Sequence, residues 1–133
     1  MKKLQTILNL AARYVTGVNH KCSTKKLMDK CKWLSVRQLV TLHSVTLLWK
    51  VLQENGPQSL KTYIEIDKRP IRGLGSHRLY TAPVKLACNR NCWRIWAVHW
   101  FNALPESLRT EKNLGKFKKG LRNFVIVNVL LKY

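Results

Sequence analysis

The run Trp33–Leu52, WLSVRQLVTLHSVTLLWKVL, decides the fold. Ser35 followed three residues later by Gln38 is a capping-box signature, in which each side chain satisfies a backbone donor that a helix start leaves unpaired. Val36, Leu39, Val40, His43 and Leu47 then form one stripe at helical spacing. From Leu42 onward the other side fills with Val45, Leu48, Trp49 and Leu52. A helix that is apolar nearly all round requires neighbours to bury it. Gly56 and Pro57 are the expected stop.

The neighbours come from both sides of this helix. Leu4, Ile7, Leu8, Ala11, Ala12 and Val15 share the apolar side of an amphipathic helix over residues 3–16, with Lys2, Lys3, Gln5, Asn9 and Arg13 on the wetter side. Gly17 is placed to end it. Ser23 or Thr24 caps a short second helix through Cys31, and Trp33 and Leu34 lead into the central helix as a hydrophobic staple. Beyond Pro57, SLKTYIEI reads first as one more short helix and second as an extended piece. Trp93, Trp96, Ala97, Trp100 and Leu104 share a face of a helix over 93–104, with Arg94 and Asn102 pointing outward. Pro105 breaks that helix. Leu114, Phe117, Leu121, Phe124 and Val125 are the inner face of a last helix over 113–130, which accepts Gly120 at a cost of about 1 kcal/mol relative to alanine.

Residues 66–92 have no helical period. Arg69-Pro70, Gly73-Leu74-Gly75 and Ala82-Pro83 mark turns, with short strands expected around 78–80 or 84–87. The expected architecture is therefore all-α. It has four to five helices in one domain over 1–133, with a long basic irregular loop (66–92) between the N-terminal helices (1–56) and the C-terminal helices (93–133).

The charge narrows the function. Twenty-five Lys and Arg against six Asp and Glu give a net charge of +19 in 133 residues. Such a surface attracts polyanions. RNA or DNA, bound through phosphates with release of counterions, is the expected partner, and an anionic membrane face is the second candidate. The loop and the outer side of the last helix carry the expected contacts: Arg69, Arg72, Arg78, Lys116, Lys119 and Arg122. The tryptophan stripe reads first as core and second as a platform for stacking bases.

Catalytic signals are lacking. Glu65 and Asp67 are the only close acidic pair, and nothing beside them builds the two-metal site of phosphoryl transfer. Gly73-Leu74-Gly75 is not a phosphate loop. Cys22, Cys31, Cys88 and Cys92, with His20 and His99, lack the tight knuckle spacing of a zinc site and read as reduced thiols of an intracellular, nuclear or cytoplasmic protein. No cofactor is expected. Met1-Lys2-Lys3 before LQTILNLAA has the start of a signal peptide, but Gln5, Asn9 and Arg13 interrupt its apolar stretch. No apolar run reaches the ~18–20 residues that span a bilayer.

The order of these segments resembles the C-terminal region of reverse transcriptases from LINE-type (non-LTR) retrotransposons. A helix with an Ala-Ala-Arg core is matched by Ala11-Ala12-Arg13. A Trp-Leu-x-x-Arg-Gln segment is matched by Trp33, Leu34, Arg37 and Gln38. An aromatic-Asn-x-Leu-Pro-x-x-x-Arg segment is matched by Phe101, Asn102, Leu104, Pro105 and Arg109, and a Phe-Lys-x-x-Leu helix by Phe117, Lys118 and Leu121. The family's fingers and palm, with their metal-binding aspartates, have no counterpart in this chain. The resemblance thus implies a non-catalytic tail that holds template RNA or target DNA beside an upstream polymerase domain. The competing expectation is a structural remnant, or a protein-interaction domain, whose apolar faces pack on that domain. A membrane-surface role for the first helix is a third.

Overall fold

A computed structural model describes residues 2–18, 22–67, 78–80 and 92–128. Helices α1 (Lys2–Thr16), α2 (Thr24–Cys31), α3 (Val36–Leu52), α5 (Trp93–Asn102) and α7 (Leu114–Asn128) make up the fold, with single turns α4 (Gln58–Lys61) and α6 (Glu106–Arg109) between them. The all-α expectation holds. The two single turns raise the number of helices among the described residues to seven, because SLKTYIEI and PESLR each close only about one turn before the chain leaves the helix.

The start of α3 is as its sequence predicts. The Ser35 hydroxyl accepts the Gln38 N–H at 3.3 Å, and the Gln38 side-chain oxygen accepts the Ser35 N–H at 2.8 Å. A third orphan donor, the Val36 N–H, reaches the Gln5 side-chain oxygen of α1 at 2.9 Å. Two helices are thereby joined at a cap. The end of α3 differs from expectation. The chain turns at Glu54, which has φ +61°, and not at Gly56. The Glu54 N–H donates to the Val51 carbonyl and the Asn55 N–H to the Lys50 carbonyl, which is the Schellman pattern. Gly56 is needed for a different reason: a Cβ there would lie 2.9 Å from the backbone nitrogen of Val51. Lys61 forms an ion pair with Glu54 and, by hydrogen bond and charge, holds its carboxyl below the usual range. Both groups are exposed, so the pair contributes little, and that little is present at neutral pH and fades as acid protonates the carboxylate. Glu54→Gly should therefore raise stability, the left-handed strain outweighing the exposed ion pair. Urea denaturation reads this directly, and a drop in stability would show that the ion pair outweighs the strain.

The buried side of α3 is not the stripe from Val36 to Leu47. Val36, Leu39, Val40 and Leu47 are half-buried and His43 is exposed. The fully covered positions are Gln38, Thr41, Ser44, Val45, Thr46, Leu48, Trp49 and Val51. The polar members cost little to bury. Thr41 and Thr46 turn their hydroxyls back onto the carbonyls of Arg37 and Leu42. Val45, Leu48 and Trp49 of this side join the core in which Ala97 of α5 is fully buried.

The main core joins α3, α5 and α7. Val45, Leu48 and Trp49 meet Ala97, Val98, Trp100, Phe101 and Leu104 of α5 and its end, and Phe117, Leu121 and Val125 of α7. Trp93 and Trp96 are half-buried against it, so the tryptophan stripe is core as its spacing first suggests. Asn113 starts α7 by accepting the Gly115 and Lys116 N–H groups on its side-chain oxygen. Gly120 sits under Leu108 of α6, whose Cδ2 lies 2.4 Å from where a Cβ would stand. The propensity cost of that glycine thus belongs to a close helix approach. A smaller cluster of Ala12, Leu27 and Met28 joins α1 to α2.

Asn102 corrects a second expectation. It does not point outward: its side-chain oxygen accepts the Leu79 N–H at 2.9 Å, and its amide donates to the Leu79 carbonyl at 2.8 Å. Leu79 also pairs with Ile66 in an isolated antiparallel bridge, through Asp67 N–H to Arg78 carbonyl and Tyr80 N–H to Glu65 carbonyl, both at 2.8 Å. The strand expected around 78–80 is thus a single bridge. Residues 84–87, and most of the expected basic loop, lie outside the described residues.

Helix α1 is the largest departure. Its wetter side faces inward, with Gln5, Asn9, Arg13 and Thr16 half-buried beside Ala12. Of the residues expected inside, Ala12 is buried and Leu8 packs beside it against α2, while Leu4, Ile7, Ala11 and Val15 are exposed. The physical cause is the cap: the side chain that α3 needs for its Val36 donor is a glutamine, so the polar edge of α1 is held against α3.

Candidate nucleic-acid interface

The corner between α2 and α3 is where charge and an open hollow coincide. Lys32 takes a left-handed conformation at φ +54°, its N–H donating to the Asp29 carbonyl and the Trp33 N–H to the Met28 carbonyl. This tight turn sends Leu34 inside and leaves Trp33 38% exposed. Only Leu34 of the expected staple pair is buried. Arg122 reaches across from α7 and donates to the Lys32 carbonyl at 3.3 Å. A groove of about 750 Å³ opens there, lined among others by Gln5, Lys25, Asp29, Lys32, Trp33, Arg122 and Ile126. A second hollow of about 320 Å³, with Leu8, Leu39 and Leu42 on its walls, shares Lys32, Trp33, Leu34 and Arg122 with the first. Three cations against one carboxylate, around an exposed indole, suit an anionic ligand carrying a flat apolar group.

The expected site residues divide. Lys116, Lys119 and Arg122 follow each other at intervals of three along α7, so they form one exposed ridge that runs into the groove. Arg78 does not join them. It is half-buried, sits on the bridge beside Leu79, and does not line the groove. Arg69 and Arg72 lie outside the described residues. Lys25, Lys32 and Trp33 are not among the site residues expected from sequence, which reads Trp33 as part of a hydrophobic staple. The available signal was the pair Lys32-Trp33 directly beyond a helix that ends at Cys31.

No protein-family model, no curated protein and no solved structure matches this chain. Several of the residues that carry the LINE-type resemblance have structural work here. Leu34 is buried, Gln38 closes the capping box, and Arg37 stacks its guanidinium over Trp96 at 5.2 Å. Phe101, Leu104, Phe117 and Leu121 are core, while Asn102 holds Leu79. Arg37 covers a face of Trp96, and Trp100 is buried, which leaves Trp33 as the better placed stacking platform.

Among the described residues no three His, Cys, Asp or Glu side chains gather as a metal site. Cys22, Cys31 and Cys92 are free thiols, and Cys88 and His20 lie outside the described residues. Among the described residues, no helix is long and apolar enough to cross a membrane.

Proposed function

We propose that this chain is a non-catalytic nucleic-acid-binding module, of the kind found in the C-terminal region of LINE-type reverse transcriptases. It takes the phosphate backbone along Lys116, Lys119 and Arg122 and lays a base on Trp33. The observation that carries this reading is the groove itself: an exposed indole flanked by Lys25, Lys32 and Arg122, continuous with a cationic ridge on α7. The +19 charge supplies the long-range attraction, and the groove supplies a place for it to act.

The test is a filter-binding titration at several salt concentrations. Replacing Lys25, Lys32, Lys119 and Arg122 together by glutamine should flatten the salt slope by about 0.7–0.9 for each phosphate no longer neutralised. Lys2, Lys3 and Lys50 are the control set, three cations that do not line the groove, and the comparison is made per charge removed. Trp33→Ala should weaken single-stranded binding by about 1–3 kcal/mol and leave duplex binding nearly unchanged, because only unpaired bases can stack on it. Equal effects per charge from both sets would reduce the binding to diffuse attraction by a basic surface.

A further inference from the structure

Helix α1 carries a second surface, distinct from the groove. Leu4, Ile7, Leu10, Tyr14 and Val15 are 59%, 62%, 52%, 91% and 66% exposed, and helical spacing puts them, with Ala11, on one side. Isolated exposed apolar residues are ordinary on proteins, but a continuous patch of large ones marks a contact surface. The helix cannot hide the patch by rotating. Its opposite edge is committed, with Gln5 capping α3 and Ala12 buried against Leu27 and Met28. Turning the patch inward would uncap Val36 and drive five apolar side chains into space already filled.

Charge decides what covers it. Lys2 and Lys3 are exposed on α1, the helix that carries the patch. A second copy of the chain would bring another +19 against this rim, which opposes self-association. An anionic bilayer satisfies both features at once, taking the apolar side chains below its headgroups and the lysines among them. Tyr14 has the amphipathic ring that suits the interface. We infer that α1 docks, lying flat, on an anionic membrane surface through Leu4, Ile7, Leu10, Tyr14 and Val15.

The experiment uses the full chain, treated with nuclease, and sedimentation with vesicles of phosphatidylcholine alone or of equal parts phosphatidylcholine and phosphatidylserine. The expected result is strong partitioning to the mixed vesicles and weak partitioning to the neutral ones. The triple variant Leu4→Gln, Ile7→Gln, Val15→Gln should fall on the order of 100-fold in partitioning, given the apolar area withdrawn. It should keep its helical circular dichroism and its nucleic-acid affinity, since none of the three residues is buried or lines the groove. A Tyr14→Trp variant should shift its added fluorescence to shorter wavelength on adding mixed vesicles. The inference is overturned if the unmodified chain ignores both vesicles, if the triple variant partitions equally well, or if the tryptophan emission at position 14 does not move. In the second case charge alone holds the protein at the lipid, and in the first the face belongs to a protein partner.

Discussion

Trp49→Ala should lower the unfolding free energy by about 3–5 kcal/mol, measured by chemical denaturation. The indole is buried at the meeting point of α3 and α7, stacked on Phe117 with ring centroids 5.2 Å apart. Its N–H donates at 3.0 Å to the carbonyl of Glu111, in the segment that leads into α7. Truncation therefore leaves a cavity and also frees a backbone acceptor, two separate costs. Leu47→Ala, by contrast, should cost less, on the order of 1–2 kcal/mol, because the side chain is only half-buried. By periodicity alone the two residues stand on equal terms, and the contrast between them measures which side of α3 faces the core. Similar costs at both positions would contradict the burial of the Thr41, Val45 and Trp49 side.

Asn102→Asp should be the more disruptive of two changes at the Leu79 backbone. The amide gives one acceptor and one donor to the backbone of a buried residue, a pairing otherwise made by a neighbouring strand. Alanine leaves the Leu79 N–H and carbonyl without these bonds, at about 1–3 kcal/mol for each group that stays dry. Aspartate keeps the acceptor but points a carboxylate oxygen at the Leu79 carbonyl, adding repulsion to the missing donor. Hydrogen exchange localises the effect: the amide of Leu79 should become less protected in Asn102→Ala, with α1 and α2 unaffected. Unchanged protection would mean that the Ile66 bridge alone holds the segment.

Several features follow from sequence because they depend on residues close along the chain. The capping box of Ser35 and Gln38 needs only four consecutive residues, and it forms as read. Gly17 takes φ +62° at the end of α1, as a helix-terminating glycine is expected to. The apolar period of α7 puts Phe117, Leu121 and Val125 inside and Lys116, Lys119 and Arg122 outside, since one side of that helix is charged and the other is not. The all-α class follows from the same local patterns.

What required tertiary structure was the choice between faces that local chemistry leaves equivalent. Helix α3 is apolar nearly all round, so its period cannot say which side meets α5; it is the side carrying Val45, Leu48 and Trp49 that joins the α5 core. Asn102 looks like a surface residue until Leu79, 23 positions earlier, is brought beside it. Trp33 and Leu34 look like equal partners in a staple until the left-handed turn at Lys32 buries Leu34 and leaves Trp33 exposed. Sequence alone determined that α1 is amphipathic and that its two edges are chemically different. Only the fold decided that the polar edge faces in, because the Gln5 side chain satisfies a donor at the start of α3 that no apolar side chain could.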